Sequence, residues 1–216
     1  MRQSTHKIYE DLLARYPALC SCNAEILNAI ELLVFAFQSG NKLLACGNGG
    51  SAADSEHIVG ELMKAFKLPR HLNAETQEKM RLLFPEEADG MIRNLQGAVP
   101  AISLVSQVAL MTAFSNDQSA QYVFAQQVMS YGQPGDVLLA ISTSGNSENI
   151  LHAARAAKLR EVRVIGLTGY SGGKLKALSD IAICVPFSAT YQIQEYHLPV
   201  YHCLCACVEN EIFGEE

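Results

Sequence analysis

The sequence predicts an α/β domain in which a five-stranded parallel sheet is covered by helices on both faces. Three observations lead there. Five short apolar runs alternate with stretches of helical spacing, the pattern of a sheet buried on both sides. Two of those runs pass directly into a glycine-rich or hydroxyl-rich loop that opens a helix, the place where open sheets bind ligands. A chain of 216 residues, 49% of them hydrophobic, is enough for one such domain with a full core.

The elements follow in order. Residues 5–40 read as helical, with Tyr9, Leu12, Leu13 and Tyr16, then Ile26, Ile30, Leu33 and Phe37 at three- and four-residue steps. Gly40 ends this region. The first strand is Leu43–Cys46 and the second is residues 101–104. The third, Val137–Ile141, follows the turn Gln133-Pro134-Gly135-Asp136, and residues 162–167 and 181–185 supply the last two. Residues 67–97 break the alternation: they are rich in charge and contain Pro69 and Pro85, with a short amphipathic helix expected over Ala74–Leu83. They read as an insertion within a single domain spanning 1–216, with no internal repeat.

Composition narrows the partners. A net charge of −6 with no basic block argues against nucleic acid. It leaves anionic small molecules open, because backbone amides and hydroxyls can hold a phosphate. No apolar run reaches the roughly 20 residues of a membrane span, and residues 1–10 are too polar for a secretion signal, so a cytoplasmic protein is expected. Seven cysteines in a chain of this kind do not suggest a disulfide framework. Cys203, Cys205 and Cys207 scatter around a helix and read as small buried residues, not as metal ligands.

The loop Gly47-Asn48-Gly49-Gly50-Ser51 leaves the first strand and opens a helix. Glycines let backbone amides approach a ligand, and a helix start favours anions. Ser51 and Asp54 fit a capping box there. An ordinary strand-to-helix turn explains this loop equally well. The loop Ser142-Thr143-Ser144-Gly145-Asn146-Ser147 is more telling, since four hydroxyls exceed what capping requires and form a cup suited to a phosphate dianion. His57 and Glu61 share one helix face, a spacing that suits metal ligation, a base with its partner, or a plain solvated pair. Gln194, His197 and His202 follow near the end of the chain, where a core histidine is also an acceptable reading of His202.

Taken in order, these motifs resemble the SIS-fold sedoheptulose-7-phosphate isomerases, from Leu43 to the last helix. The resemblance implies a SIS domain, a flavodoxin-like three-layer sandwich, acting as a sugar-phosphate isomerase. It implies substrate contacts from Asn48, Gly49, Gly50, Asn116, Asp117 and Gln194, and a phosphate site of Ser142, Thr143, Ser144 and Ser147. It further implies a catalytic pair, Glu61 as base and His202 as acid, and one zinc per chain on His57, Glu61, Gln194 and His202. The expected assembly is a homotetramer with active sites between subunits. Moving a proton between adjacent carbons through an enediol needs such a pair, and a metal would stabilise the enediolate as a Lewis acid.

Two positions depart from the family pattern. Ala65 stands where heptose isomerases place an arginine, and Tyr191 where they place an aspartate. A basic residue of the insertion, Arg70 or Arg81, is expected to take over phosphate neutralisation. The alternative functions within this fold are an adaptor binding the replication initiator DnaA, which lacks the Glu61 and His202 equivalents, and a phosphosugar sensor, which carries a DNA-binding domain.

Overall fold

The computed structural model describes residues 1–214. Five strands, β1 (Leu43–Cys46), β2 (Ala101–Ser103), β3 (Val137–Ile141), β4 (Arg163–Thr168) and β5 (Ile181–Cys184), form one all-parallel sheet in the order β2-β1-β3-β4-β5. Side-chain alternation along the strands splits the core in two. Leu43, Leu139, Ile141, Ile165, Leu167 and Ile183 face one side. Leu44, Cys46, Leu138, Ala140 and Val164 face the other.

On the first face lie α1 (Gln3–Arg15), α2 (Asn23–Gln38), α3 (Gly50–Met63) and the long α10 (Thr190–Phe213), with α10 packed on the other three. On the second face lie α7 (Val123–Tyr131), α8 (Glu148–Leu159) and α9 (Gly173–Leu178). Between β1 and β2 the chain forms α4 (Ala74–Leu83) and α5 (Ala88–Asn94), and after β2 it forms α6 (Val108–Phe114). All five expected strands are present, and α4 has the expected limits. Asn73 caps α4 by accepting the Thr76 N–H at 2.8 Å.

Pro17–Gln38 resembles a membrane span only in length and mean hydropathy, 1.5, and Glu25 and Glu31 interrupt its apolar character. It is instead a 3₁₀ turn (Pro17–Cys22) followed by α2, whose Ile26, Ala29, Ile30 and Leu33 are buried in the core. The capping box at Ser51 does not form. The helix starts one residue earlier, at Gly50, because Gly49 takes a left-handed φ of 56° and serves as the cap. Cys203, Cys205 and Cys207 are buried as expected, with Cys203 and Cys207 adjacent on the helix at 3.8 Å.

Candidate active site

The loops after β1 and β3 leave the carboxyl edge of adjacent strands and meet over one cleft of about 250 Å³. Its walls are Asn48, Gly49, Gly50 and Ser51 from the first loop, Ser142, Thr143 and Ser147 from the second, and Thr190 and Gln194 from α10. The Gln194 amide lies close over Gly50, so that a Cβ there would displace it. Glycine is required at Gly145 (φ 64°), where a Cβ would strike the Gly172 carbonyl. Ser147 precedes α8 but makes no capping bond; its Oγ instead lies 3.0 Å from Ser142 Oγ, inside the cleft. The hydroxyls therefore converge on the cleft and on the positive ends of α3 and α8, the arrangement that holds a phosphate.

Four features here were not read from the sequence. Thr190 lines the cleft beside Gln194. Asn149 exchanges two amide hydrogen bonds with Asn48, at 2.9 and 2.8 Å, pinning the first loop to the start of α8. The other two are Tyr201, which touches His57, and Lys64, which touches Glu61. Three expected contact residues fall outside the cleft. Ser144 Oγ accepts the Asn146 N–H at 3.1 Å and so shapes the turn. Asn116 and Asp117 sit in the exposed π-turn Ser115–Ser119 and bond to each other at 2.9 Å. That turn continues α6, which buries no residue, so the pair lies on the surface of this chain.

A second cluster forms farther along α3. His57 Nε2 is 3.3 Å from Glu61 Oε1, as their spacing predicts, and Lys64 Nζ is 2.8 Å from Glu61 Oε2. His202 stacks edge-on against His57, ring centroids 5.1 Å apart. Its Nε2 is buried and has no hydrogen-bond partner among the described residues. Behind His57 stands Tyr201, whose hydroxyl lies 3.1 Å from His57 Nδ1 and donates to Asp54 Oδ1 at 3.3 Å. Burial alone would raise the pKa of Glu61; the hydrogen bond and charge of Lys64, with His57, outweigh it and hold the carboxyl below its ordinary value. For His202, burial and then the nearby His57 lower the pKa, against the opposite pull of Glu61, which favours the neutral imidazole. The cluster thus offers an ionised carboxylate beside a neutral imidazole.

The four expected metal donors do not gather within one chain. Because α10 begins at Thr190 and runs through Pro199 unbroken, about 12 Å of helix rise separates Gln194 from His202. Among the described residues no group of three His, Cys, Asp or Glu side chains is arranged to hold a metal ion. Arg70 does not reach the cleft either. It is buried in an ion pair with Glu209, so the expectation that it neutralises a substrate phosphate is overturned.

Sheet order, paired loops and helical N-terminus define the class: residues 18–81 and 80–169 match the model of the SIS domain. The chain is 40% identical over 202 residues to the phosphoheptose isomerase of Aromatoleum aromaticum, covering 92% of this chain and 89% of that one. It is 43% identical over 189 residues to that of Thiobacillus denitrificans, covering 86% and 83%. A solved phosphoheptose isomerase from Francisella tularensis superposes with a TM-score of 0.72 at 30% identity, over 97% of this chain and all of the other. The chain belongs to the SIS domain family and, within it, to the phosphoheptose isomerases.

Proposed function

We propose that the chain is an aldose–ketose isomerase that interconverts sedoheptulose 7-phosphate and a heptose 7-phosphate through an enediol(ate), in the cytoplasm. One observation carries the reading: α3 opens at a cleft suited to a phosphate and, farther along, presents Glu61 paired with His57, against whose ring His202 packs from α10. An open-chain heptulose phosphate has its phosphate and its reacting carbons at opposite ends, as this arrangement requires. Ser142, Thr143 and Ser147 hold the phosphate, with Asn48, Gly49, Gly50 and Gln194 on the sugar. Glu61 takes the proton from C1 and returns it at C2, while neutral His202 serves the neighbouring oxygens as the O1 proton passes to O2. The relatives named above favour this over an adaptor or sensor role.

The assembly in this reading is a homotetramer with active sites between subunits. Support comes from surfaces left apolar in one chain: Val108 is 70% exposed on α6 and Leu82 is 80% exposed on α4. A second copy also gives Asn116, Asp117 and Ser144 a route to substrate. It gives zinc a route to four donors as well, since His57, Glu61, Gln194 and His202 are of the types zinc accepts, although an amide is uncommon. Size measurement at micromolar concentration should give four chains; a monomer counts against the shared site. Elemental analysis of protein purified without chelators should find up to one zinc per chain. If none is found and added zinc changes nothing, His57 is a positioning partner of Glu61 only.

The activity test is an isomerase assay over ketose phosphates of about five to seven carbons, with and without zinc. Turnover should be greatest with sedoheptulose 7-phosphate. No turnover with any of them, together with retained binding to the replication initiator, would establish the adaptor instead.

A further inference from the structure

Arg70 and Glu209 form an ion pair whose side chains are 0% and 1% exposed. Taking two charges out of water is costly, and such a pair persists only where the remaining donors and acceptors are also satisfied. Here they are. Arg70 Nε donates to Glu209 Oε1 at 2.8 Å, Nη1 to the Leu62 carbonyl at 2.5 Å and Nη2 to the Glu61 carbonyl at 2.8 Å. Glu209 also accepts the backbone N–H groups of Phe66, Lys67 and Leu68, at 2.8, 2.7 and 3.1 Å. The guanidinium lies 4.9 Å over the Phe213 ring.

The partners show what the pair connects. The carbonyls of Glu61 and Leu62 belong to the last turn of α3, where the helix itself has no donors left to offer. A cation there also meets the negative end of the helix dipole. At the other end of the pair, Glu209 stands about two turns beyond His202 on the same side of α10. The 67–97 insertion is rooted at the same place, because the Gly97 N–H donates to the Arg70 carbonyl at 2.8 Å. The backbone of the proposed base is therefore connected, through one guanidinium and one carboxylate, to the helix of its imidazole partner.

We propose that Arg70 and Glu209 are positioning residues that tie Glu61 to His202 and fix the separation across which the two act. This rests on the isomerase reading for the roles of Glu61 and His202. Neither Arg70 nor Glu209 touches the phosphate cleft, so the tie should govern turnover and leave substrate affinity alone.

Two variants test it. Arg70→Lys keeps the charge and loses the fork that reaches two carbonyls and a carboxylate at once. Arg70→Ala removes the group and leaves space beside a cleft of about 400 Å³ lined by Leu68, Pro69, His71 and Phe213. With sedoheptulose 7-phosphate, Arg70→Lys should lose about tenfold in kcat per folded molecule while KM stays within about twofold, as expected for a small misplacement of a catalytic group. Arg70→Ala should lose more, and added methylguanidinium, but not methylammonium, should restore part of it. Without substrate, amide exchange over residues 60–65 should quicken by about tenfold in Arg70→Ala or, if that variant does not fold, in Arg70→Lys. The proposal is overturned if kcat per folded molecule is unchanged, if KM rises with the loss, or if activity falls only in proportion to folded protein. A parent without activity on any sugar phosphate removes the isomerase reading instead. Exchange then still decides the tie: unchanged protection of residues 60–65 overturns it.

Discussion

At its amino end α3 meets Ser142, Thr143, Ser147 and Gln194, none of which carries a charge; at its carboxyl end the cluster is His57, Glu61, Lys64 and His202. The first end uses the helix dipole and neutral donors, so it can hold an anion without titrating itself. The second end depends on which groups are protonated. In the proposed reading, anchoring and proton transfer fall at opposite ends of one helix, and variants at the two ends should separate KM from kcat.

The largest effect is expected at the carboxyl end. Glu61→Gln keeps the shape and removes the base, and kcat should fall by about a hundredfold or more with KM nearly unchanged and the thermal transition intact. Steady-state kinetics beside a melting curve checks both. Near-normal turnover would take Glu61 out of its role and dissolve the contrast between the ends. His202→Ala should lose somewhat less, about tenfold to a hundredfold, because it removes polarisation and not the base.

Between the two ends, on α10, lies His197, fully buried with neither ring nitrogen paired among the described residues. Burial lowers its pKa to about 4, opposed to a smaller extent by the backbone of Thr168. The folded value lies below the unfolded one, so the unfolded chain binds more protons between them. The stability this histidine contributes is complete above pH of about 6.5 and is lost as the pH falls toward about 4, up to about 3 kcal/mol in all. Denaturant melts across that range should show the loss, and His197→Leu should flatten it; an equal slope in the variant would assign the loss to other groups.

The smallest effect is expected in the cleft. Ser147→Ala removes one hydroxyl of the Ser142–Ser147 pair and should raise KM about fivefold, the worth of one hydrogen bond, with kcat preserved. A matching fall in kcat would mean that the phosphate site also aligns the reacting carbons.

Much of this arrangement is local and so was legible in the chain. The strand runs, the two loops and the helical spacing of His57 and Glu61 depend on neighbours within a few residues. The limits of β1 and β3 match the apolar runs, and the hydroxyl count of the second loop pointed to the cleft. Where a long-range partner decides the outcome, the sequence was silent or misleading. Arg70 looked like a free cation for substrate because Glu209, its partner, lies 139 residues away. Within one chain, Gln194 and His202 could share an ion only if the last helix began late, near Pro199, and α10 instead begins at Thr190. Ser51 looked like a cap because the left-handed turn at Gly49 carries no signal that separates it from other glycine turns.

The amide pair between Asn48 and Asn149 has a consequence for experiment. Neither side chain ionises in water, and their reciprocal hydrogen bonds contain no charge for salt to screen. This link between the first loop and the start of α8 therefore keeps its setting from acid to alkaline and from dilute to concentrated buffer. A change in rate with pH or ionic strength then has its source in groups that carry charge, the substrate phosphate and Glu61 among them, and not in this amide pair.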